Sequence, residues 1–433
     1  MPSIIEPECT TDIHASCDVL VAGAGPAGIL AALAAARNGA DVQLIDVAGC
    51  LGGVWTVGLL CFVLGSENKS GIITELTTEL DRRSARQLAH GETPNWAYDP
   101  EEMKILLEER CAEAGIRVQL HTRVVGGRID EGRLTHVVTE SAGGRQAWAA
   151  KVFIDCTGGG DLAARVGCSY DVGRPDDGGV QPMSFPCLIT GIDYDAVKPY
   201  VAMAGDKGSR DRLTELCRSL GVQLTYPKPM LVRIHENLFS LICDHQFGHR
   251  SDDAAAVTAA TLNGRREVHA VINALRGSGG IWKNLRLVAT CEHISVREGR
   301  RIHGHATITV DDVTAGNQPE DSISICTYGV DVHSPKRDLR KSYDSGGHKA
   351  RPYGIPLRAL IARDIDGLMM AGRCISGDFI AHSSYRVTGE AAAMGQAAGI
   401  CAARAAEKGI LPGDVPFADV KAGLEALNAP VTA

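Results

Sequence analysis

The sequence predicts an α/β fold: a parallel, Rossmann-like sheet joined to an antiparallel meander, with an α+β domain inserted into it. Three observations carry that prediction. A strand, glycine turn, helix and second strand occupy 18–46 (DVLVAGAGPAGILAALAAARNGADVQLID). Short strands separated by EG and AGG turns follow over 128–154, and a buried strand, GLMMAGR, returns at 367–373. The outer domain therefore spans 1–180 and 346–433, and the insert 181–345.

Along the chain, 18–22 is the short apolar run that a buried parallel strand needs. Residues 26–38 are rich in Ala and Leu and stop at Asn38 and Gly39, a helix with its C-terminus. A second strand over 41–46 completes a βαβ unit. The stretch 49–58 (GCLGGVWTVG) is too glycine-rich for a regular element and reads as a loop, and 71–90 reads as a polar helix. Residues 99–114 begin on a capping Asp, place Pro in the first turn and carry acids early, which predicts a helix ended by Gly115. Residues 117–125 alternate like one strand. The meander runs into KVFIDCTGGGD (151–161), an apolar strand entering a glycine turn. Mixed helices and strands with several histidines fill the insert, and a small-residue helix over 388–407 follows the last strand.

The 433 residues are 45% hydrophobic and 22% charged, ordinary for a globular protein. That length asks for about two or three domains. The net charge of -8 is spread thinly, and without a basic stripe nucleic acid is excluded as a partner. No apolar stretch is long enough to span a membrane; VWTVGLLCFVL (54–64) comes nearest and is a candidate interface in a homo-oligomer. Fourteen cysteines without a CxxC read as reduced thiols, and the polar N-terminus lacks the apolar core of a secretory leader. The expected location is cytoplasmic.

In GAGPAG, Gly23 permits the tight turn, Gly25 lets a pyrophosphate approach the backbone, and Gly28 lets helix pack on strand. The phosphates then meet free N–H groups at the helix N-terminus. The pattern alone also occurs in plain strand–helix turns. Here it follows a strand and opens a helix, and Asp46 closes the next strand, where it can accept from a ribose diol. The turn alone leaves open NAD as a co-substrate or FAD as a resident cofactor.

Together these segments resemble the FAD-binding fold of the glutathione-reductase type, and more closely the bacterial family of FAD-dependent oxidoreductases. The matching residues are GAGPAG (23–28), GCLGGVWTVGL (49–59), YDPEEMKILLEE (98–109), LHTRVV (120–125), FIDCTGGGDLAARVG (153–167) and QPMSF (181–185). Further on they are VREGRRIHG (296–304), DVH (331–333), YGIPLRAL (353–360), MAGRCISGDFIAHSSYRV (370–387) and GQAAG (395–399). Residues 186–285 match poorly, where such proteins vary and shape substrate choice.

The resemblance implies an enzyme with resident FAD. Adenosine would lie over Gly23, Gly25, Pro26, Ala27, Gly28 and Asp46, with the Val124 backbone facing the adenine. Gly52 and Gly53 belong to the loop near the isoalloxazine, and Thr157, Gly158, Asp161, Gly372 and Arg373 complete the implied set. The 388–407 helix would aim its positive end at the flavin pyrimidine edge. Two departures stand out. Gly159 replaces the usual acid of the TGDGD turn, and Arg373 stands where related folds place an Asp on the ribityl chain. Asp378 is therefore the ribityl candidate.

Oxidation by hydride transfer needs a base and a substrate anchor. His333 and His382 are candidate bases, each with a purely structural role as its alternative. Arg386 is the candidate anchor, and Asp331 is placed to orient His333. Arg297, Arg300 and Arg301 are alternative anchors, two of them expected in ion pairs. DHQFGH (244–249) and HGH (303–305) lack further ligands at a known spacing, so no metal is expected. Cys50 and Cys61 lack the tight spacing of a disulfide reductase. The expected function is oxidation of a small polar substrate by hydride transfer to flavin N5. Reduction of a double bond, or service as an electron-transfer subunit, is the alternative, and no motif names the electron acceptor.

Overall fold

A computed structural model describes residues 3–4, 8–88, 96–202, 208–337 and 344–431. Its principal sheet has seven strands: β1 (Ile13–Ala22), β2 (Val42–Ile45), β3 (Arg117–Gln119), β4 (Arg123–Asp130), β5 (Arg133–Ser141), β6 (Gly144–Asp155) and β7 (Leu368–Met370). β3, β2, β1 and β6 lie side by side in parallel. β7 adds to the C-terminal half of β6, Leu368 opposite Phe153 and Met370 opposite Asp155. The N-terminal half of β6 pairs antiparallel with β5, which pairs with β4. One long strand thus belongs to both the meander and the parallel sheet. Because β1, β6 and β7 stay in register, the turns after Ala22, Asp155 and Met370 emerge together, and Cys156 N–H donates to Ala22 O at 2.7 Å. Carboxyl ends of parallel strands are where such sheets hold ligands.

Four helices position that edge. α1 (Pro26–Arg37) follows β1 and is buried along most of its length, as its Ala- and Leu-rich sequence requires. α2 (Pro100–Glu113) is capped by Asp99, whose carboxylate accepts from Glu101 and Glu102 N–H. α3 (Phe379–Tyr385) leads into α4 (Thr388–Lys408), which packs directly on α1. A Cβ on Gly395 would lie 2.2 Å from the Ala27 carbonyl oxygen, and one on Gly399 2.1 Å from that of Ala31. Alanine normally stabilises a helix interior by about 1 kcal/mol over glycine. Here the backbone of α1 cannot yield, so Gly395→Ala and Gly399→Ala should each cost about 1–3 kcal/mol as overpacking. Urea midpoints measure this, and an unchanged or raised midpoint would refute it.

Several elements differ from the sequence reading. The single strand expected over 117–125 is two strands, because His121 takes a left-handed conformation (φ 54°) and turns the chain between β3 and β4. The polar helix expected over 71–90 ends earlier, as Ile72–Arg82, and Arg86–Leu88 is a strand; 89–90 lie outside the described residues. The loop at 49–58 contains a short 3-10 turn, Gly53–Trp55. The apolar run at 54–64 is not an outer face: Trp55, Cys61 and Val63 are wholly buried, and Tyr98 donates to Leu60 O at 2.9 Å. Among the described residues no helix is long and apolar enough to cross a membrane.

A second apolar core is built mainly from residues 183–294, with Leu59 and Cys61 joining it. Strands Met230–Arg233, Phe239–Ile242, Cys187–Thr190 and Arg286–Thr290 form an antiparallel sheet in that order, backed by helix Ala254–Gly277. Phe185, Ile189, Phe239, Val268 and Ile272 fill this core. Ile302, Ile308, Val313 and Ile323 instead join the core of the parallel sheet.

Candidate active site

A cavity of about 380 Å³ follows the carboxyl edge of the parallel sheet. Asp46, Thr122 and Val124 line it, as do Gly23, Gly25, Pro26 and Ala27. Gly53 lies across from them, with Thr157, Gly158 and Asp161 from the turn after β6. Gly372 and Arg373 after β7, and Thr388 at the start of α4, also line it.

The three motif glycines divide their tasks by sterics. Gly23 has φ +97°, and a Cβ there would meet Cys156 O at 2.5 Å. A Cβ on Gly28 would lie 1.8 Å from Gly23 O, so Gly28 serves packing and is absent from the cavity wall. A Cβ on Gly25 would meet nothing within 4 Å, which leaves room for a ligand beside the backbone. Gly25 is also the N-cap of α1, with no side-chain cap and no acid in the first turn, so that helix end is open to an anion. Asp46 accepts from the N–H groups of Ala24 and Ala48, which pins its carboxylate to the rim.

The turn after β6 is shaped by Asp155, which the sequence reading passed over. Its carboxylate accepts from Thr157 N–H (3.0 Å), Thr157 Oγ1 (2.7 Å) and Ala163 N–H (2.9 Å). Burial pushes its carboxyl up despite those hydrogen bonds. Arg373 lies over Gly158, whose Cβ would approach its Nη2 to 2.5 Å. Its Nε is buried without an acceptor, and burial works against its charge. Open space at Gly25, an uncapped helix end, an acid closing β2 and an uncompensated guanidinium together fit a dinucleotide carrying a pyrophosphate.

Besides Gly28, two expected cofactor residues fall outside the wall. Gly52 (φ +104°) packs on Thr56 outside the wall. Asp378 is spent on structure: it caps α3 by accepting from Ala381 N–H (2.7 Å) and also accepts from Val310 N–H (2.5 Å). It does not line the cavity, which corrects its reading as the ribityl partner.

A second cavity of about 250 Å³ adjoins the first, and Val54, Ser295, Arg373, Arg386 and Thr388 belong to both walls. Arg297, Asp331 and His333 line the second alone. His333 Nε2 lies 3.4 Å from Asp331 Oδ2, and its Nδ1 lies 3.1 Å from His245 Nε2. Arg386 Nη2 donates to Asp331 O (2.8 Å) and Oδ2 (3.2 Å). Arg297 donates to Pro182 O (2.7 Å) and Ser184 Oγ (2.9 Å). Burial acts to raise the Asp331 carboxyl, but the His333 hydrogen bond and the charges of Arg386 and Arg297 hold it below the usual carboxylate range. Burial, then Arg297, lowers His333 to about 3, and burial also lowers His245. Asp331 is therefore ionised and both rings are neutral at pH 7. An ionised Asp331 takes the Nε2–H of His333, so His333 Nδ1 accepts from His245 Nε2–H. Both nitrogens of His333 are thus engaged, and the exposed anionic oxygen in this wall is that of Asp331.

His382 stands apart. It is wholly buried on α3, edge-on to Tyr385 at 5.5 Å between centroids, and lines neither cavity. Burial keeps it neutral, so the reading of His382 as a base is corrected to a packing role. Of the three alternative arginines, Arg300 pairs with Asp161 (2.8 Å) and Arg301 with Glu298 (2.8 Å). The sequence offers His245 only as a metal candidate and gives no sign of Tyr226, which stacks on it at 4.0 Å. Both lie in the poorly matching stretch, and no spacing linked them to His333. Among the described residues no three His, Cys, Asp or Glu side chains are grouped to hold a metal, and the fourteen cysteines are all free thiols.

The chain matches the family model described as FAD dependent oxidoreductase over residues 18–424. Among solved structures it resembles a geranylgeranyl bacteriochlorophyll reductase-like protein from Thermoplasma acidophilum, with TM-score 0.50 and 12% identity over 95% of this chain and 83% of that one. It also resembles the myxobacterial chondrochloren halogenase CndH, with TM-score 0.50 and 12% identity over 95% and 78%. At such identity the likeness concerns the fold, an α/β architecture with a parallel Rossmann-like sheet. A search of curated proteins found no match. With the family match covering most of its length and a cavity that fits the cofactor, the chain belongs to the FAD-dependent oxidoreductases, enzymes whose cofactor is FAD.

Proposed function

We propose that FAD lies extended along the first cavity, in the glutathione-reductase manner, and that a small substrate is oxidised in the second. Asp46 and the Val124 backbone would hold the adenosine half, Gly25 and the open end of α1 the pyrophosphate. When bound, FAD supplies a two-electron acceptor that takes a hydride at N5. Arg386 and Arg297 would orient an oxygenated group of the substrate, and Asp331 would accept its proton at Oδ. A carboxylate held this low is a weak base in the free enzyme. Substrate arrival would desolvate it and raise its basicity. His333, with both nitrogens engaged, becomes a positioning residue that holds Asp331 with His245. The insert over 181–345 would shape the substrate end.

The observation that supports this reading is the shared wall: Arg373, Arg386 and Thr388 line both cavities, so a cofactor in one would adjoin a substrate in the other. A visible spectrum and an anaerobic titration with hydroxy acids, amines and sugars test it. Yellow protein bleached by one of these classes supports the reading. A protein that does not take up added FAD, or a loaded protein that none of them bleaches, refutes it. One observation favours the opposite direction, reduction of a double bond: the apolar side chains of Leu60, Phe62, Leu64 and Ile242 in the second wall. Reoxidation of the dithionite-reduced protein by an unsaturated acid, with no bleaching by any alcohol or amine, would establish that direction instead.

A further inference from the structure

The wall of the second cavity combines an excess of positive charge with apolar surface. Arg297, Arg373 and Arg386 line it together with Arg210, which donates to Tyr226 Oη and Lys228 O, while Asp331 is the sole carboxylate among its described lining residues. The Asp331 charge is already shared between Arg386 and His333. Arg373 makes no ion pair among the described residues, and the Nε atoms of Arg373 and Arg386 are both buried without acceptors. Buried guanidinium donors in this state are costly unless an acceptor reaches them. The planar fork of arginine suits a carboxylate in particular. The apolar part of the wall includes Leu60, Phe62, Pro186, Met230 and Ile242. Phe62 and Ile242 belong to one buried apolar cluster, with Leu60 and Met230 packed against it, so that surface is fixed rather than improvised.

We propose that the second cavity binds a carboxylate bearing an apolar body. The carboxylate sits at the arginines, on the boundary with the cofactor cavity, and the hydrocarbon or aromatic body lies against Phe62, Met230 and Ile242. This names the substrate class of the site and rests on the function proposed above. It replaces a merely polar substrate with an amphipathic one, because neutral, fully polar molecules leave the arginines unanswered and the apolar wall wet.

The test uses FAD-loaded protein titrated anaerobically with phenylacetate and hexanoate, read by the perturbation of the flavin absorption bands and by calorimetry. Saturable binding is expected. Acetate, which lacks the body, and phenylacetamide, which lacks the charge, should each bind about 10-fold or more weakly. Arg297 lines the second cavity alone. Arg297→Met should therefore weaken phenylacetate about 100-fold with FAD content unchanged. Arg297→Gln serves if Arg297→Met does not fold. Equal binding of phenylacetate and phenylacetamide overturns the proposal, as does full affinity in both Arg297 variants, which would assign the arginines to the cofactor alone. A colourless protein that binds phenylacetate by calorimetry would sink the proposed function and keep this inference. A yellow, bleachable protein indifferent to carboxylates would do the reverse.

Discussion

Asp331→Asn is expected to slow flavin reduction by substrate about 10²- to 10⁴-fold, the usual contribution of a positioned acid–base group. Asn keeps the shape and can still accept from His333 and Arg386, but it cannot take a proton. Asp331 lies in the wall of the second cavity and not the first, so FAD should remain bound. Stopped-flow reduction under anaerobic conditions gives the rate, and the visible spectrum gives FAD content. A rate within threefold of the parent, an allowance set well below that loss, would remove Asp331 from proton transfer. His333→Gln, which acts on Asp331 only by position, should cost less than Asp331→Asn. It should also shift the acid limb of the pH–rate profile upward, because the carboxylate loses the hydrogen bond that holds it low.

The second large effect concerns stability at the cofactor end. Lys69 Nζ lies 2.9 Å from Glu390 Oε1, with side-chain exposures of 3% and 0%. Lys69 also donates to Ile325 O (2.7 Å), and Glu390 accepts from Ser324 Oγ (3.2 Å). Glu390 sits in the first turn of α4, just after Thr388 of the cavity wall. Burial already pushes its carboxyl up, and Lys69 opposes that. Lys69→Met leaves a buried charge without its partner and should cost about 3–5 kcal/mol. The sign of the pH dependence follows. With Lys69 gone the folded pKa of Glu390 rises further above its unfolded value. The variant is then nearest the parent below that unfolded value and loses stability as pH rises through the folded one. Melting temperatures at pH 5 and pH 8 should show a larger deficit at pH 8. Lys69→Met with Glu390→Gln should recover most of the loss. A lone Lys69→Met as stable as the parent at pH 8 would show that the pair contributes nothing.

Much of the cofactor end could be read from the chain because its chemistry is local. Gly23, Gly25 and Gly28 act within one turn, and Asp46 closes the adjacent strand. Asp99 caps the helix that begins at the next residue. These signals rest on backbone sterics and hydrogen bonds across a few residues, so spacing preserves them. The resemblance carried the distant turns at 157–161 and 372–373 to the same edge, where the register of β1, β6 and β7 places them. Composition and periodicity said nothing of Lys69 and Glu390, which are 321 residues apart and meet only because α4 buries its first turn.

The substrate end was less legible. His333 and Arg386 were noticed by type, but whether a histidine acts as base or support depends on what surrounds both its nitrogens. His382 is enclosed in the interior, and Asp378 caps the N-terminus of α3. His245, just past the strand Phe239–Ile242, reaches His333 across 88 positions, a contact that only tertiary packing makes. Local backbone chemistry was therefore enough to establish the strand–turn–helix unit and the uncapped helix end at Gly25. The protonation of the Asp331 and His333 pair, and the mixed charged and apolar character of the second cavity, came from packing. Burial and long-range contact set the energy of a charge, and neither has a signature in sequence spacing.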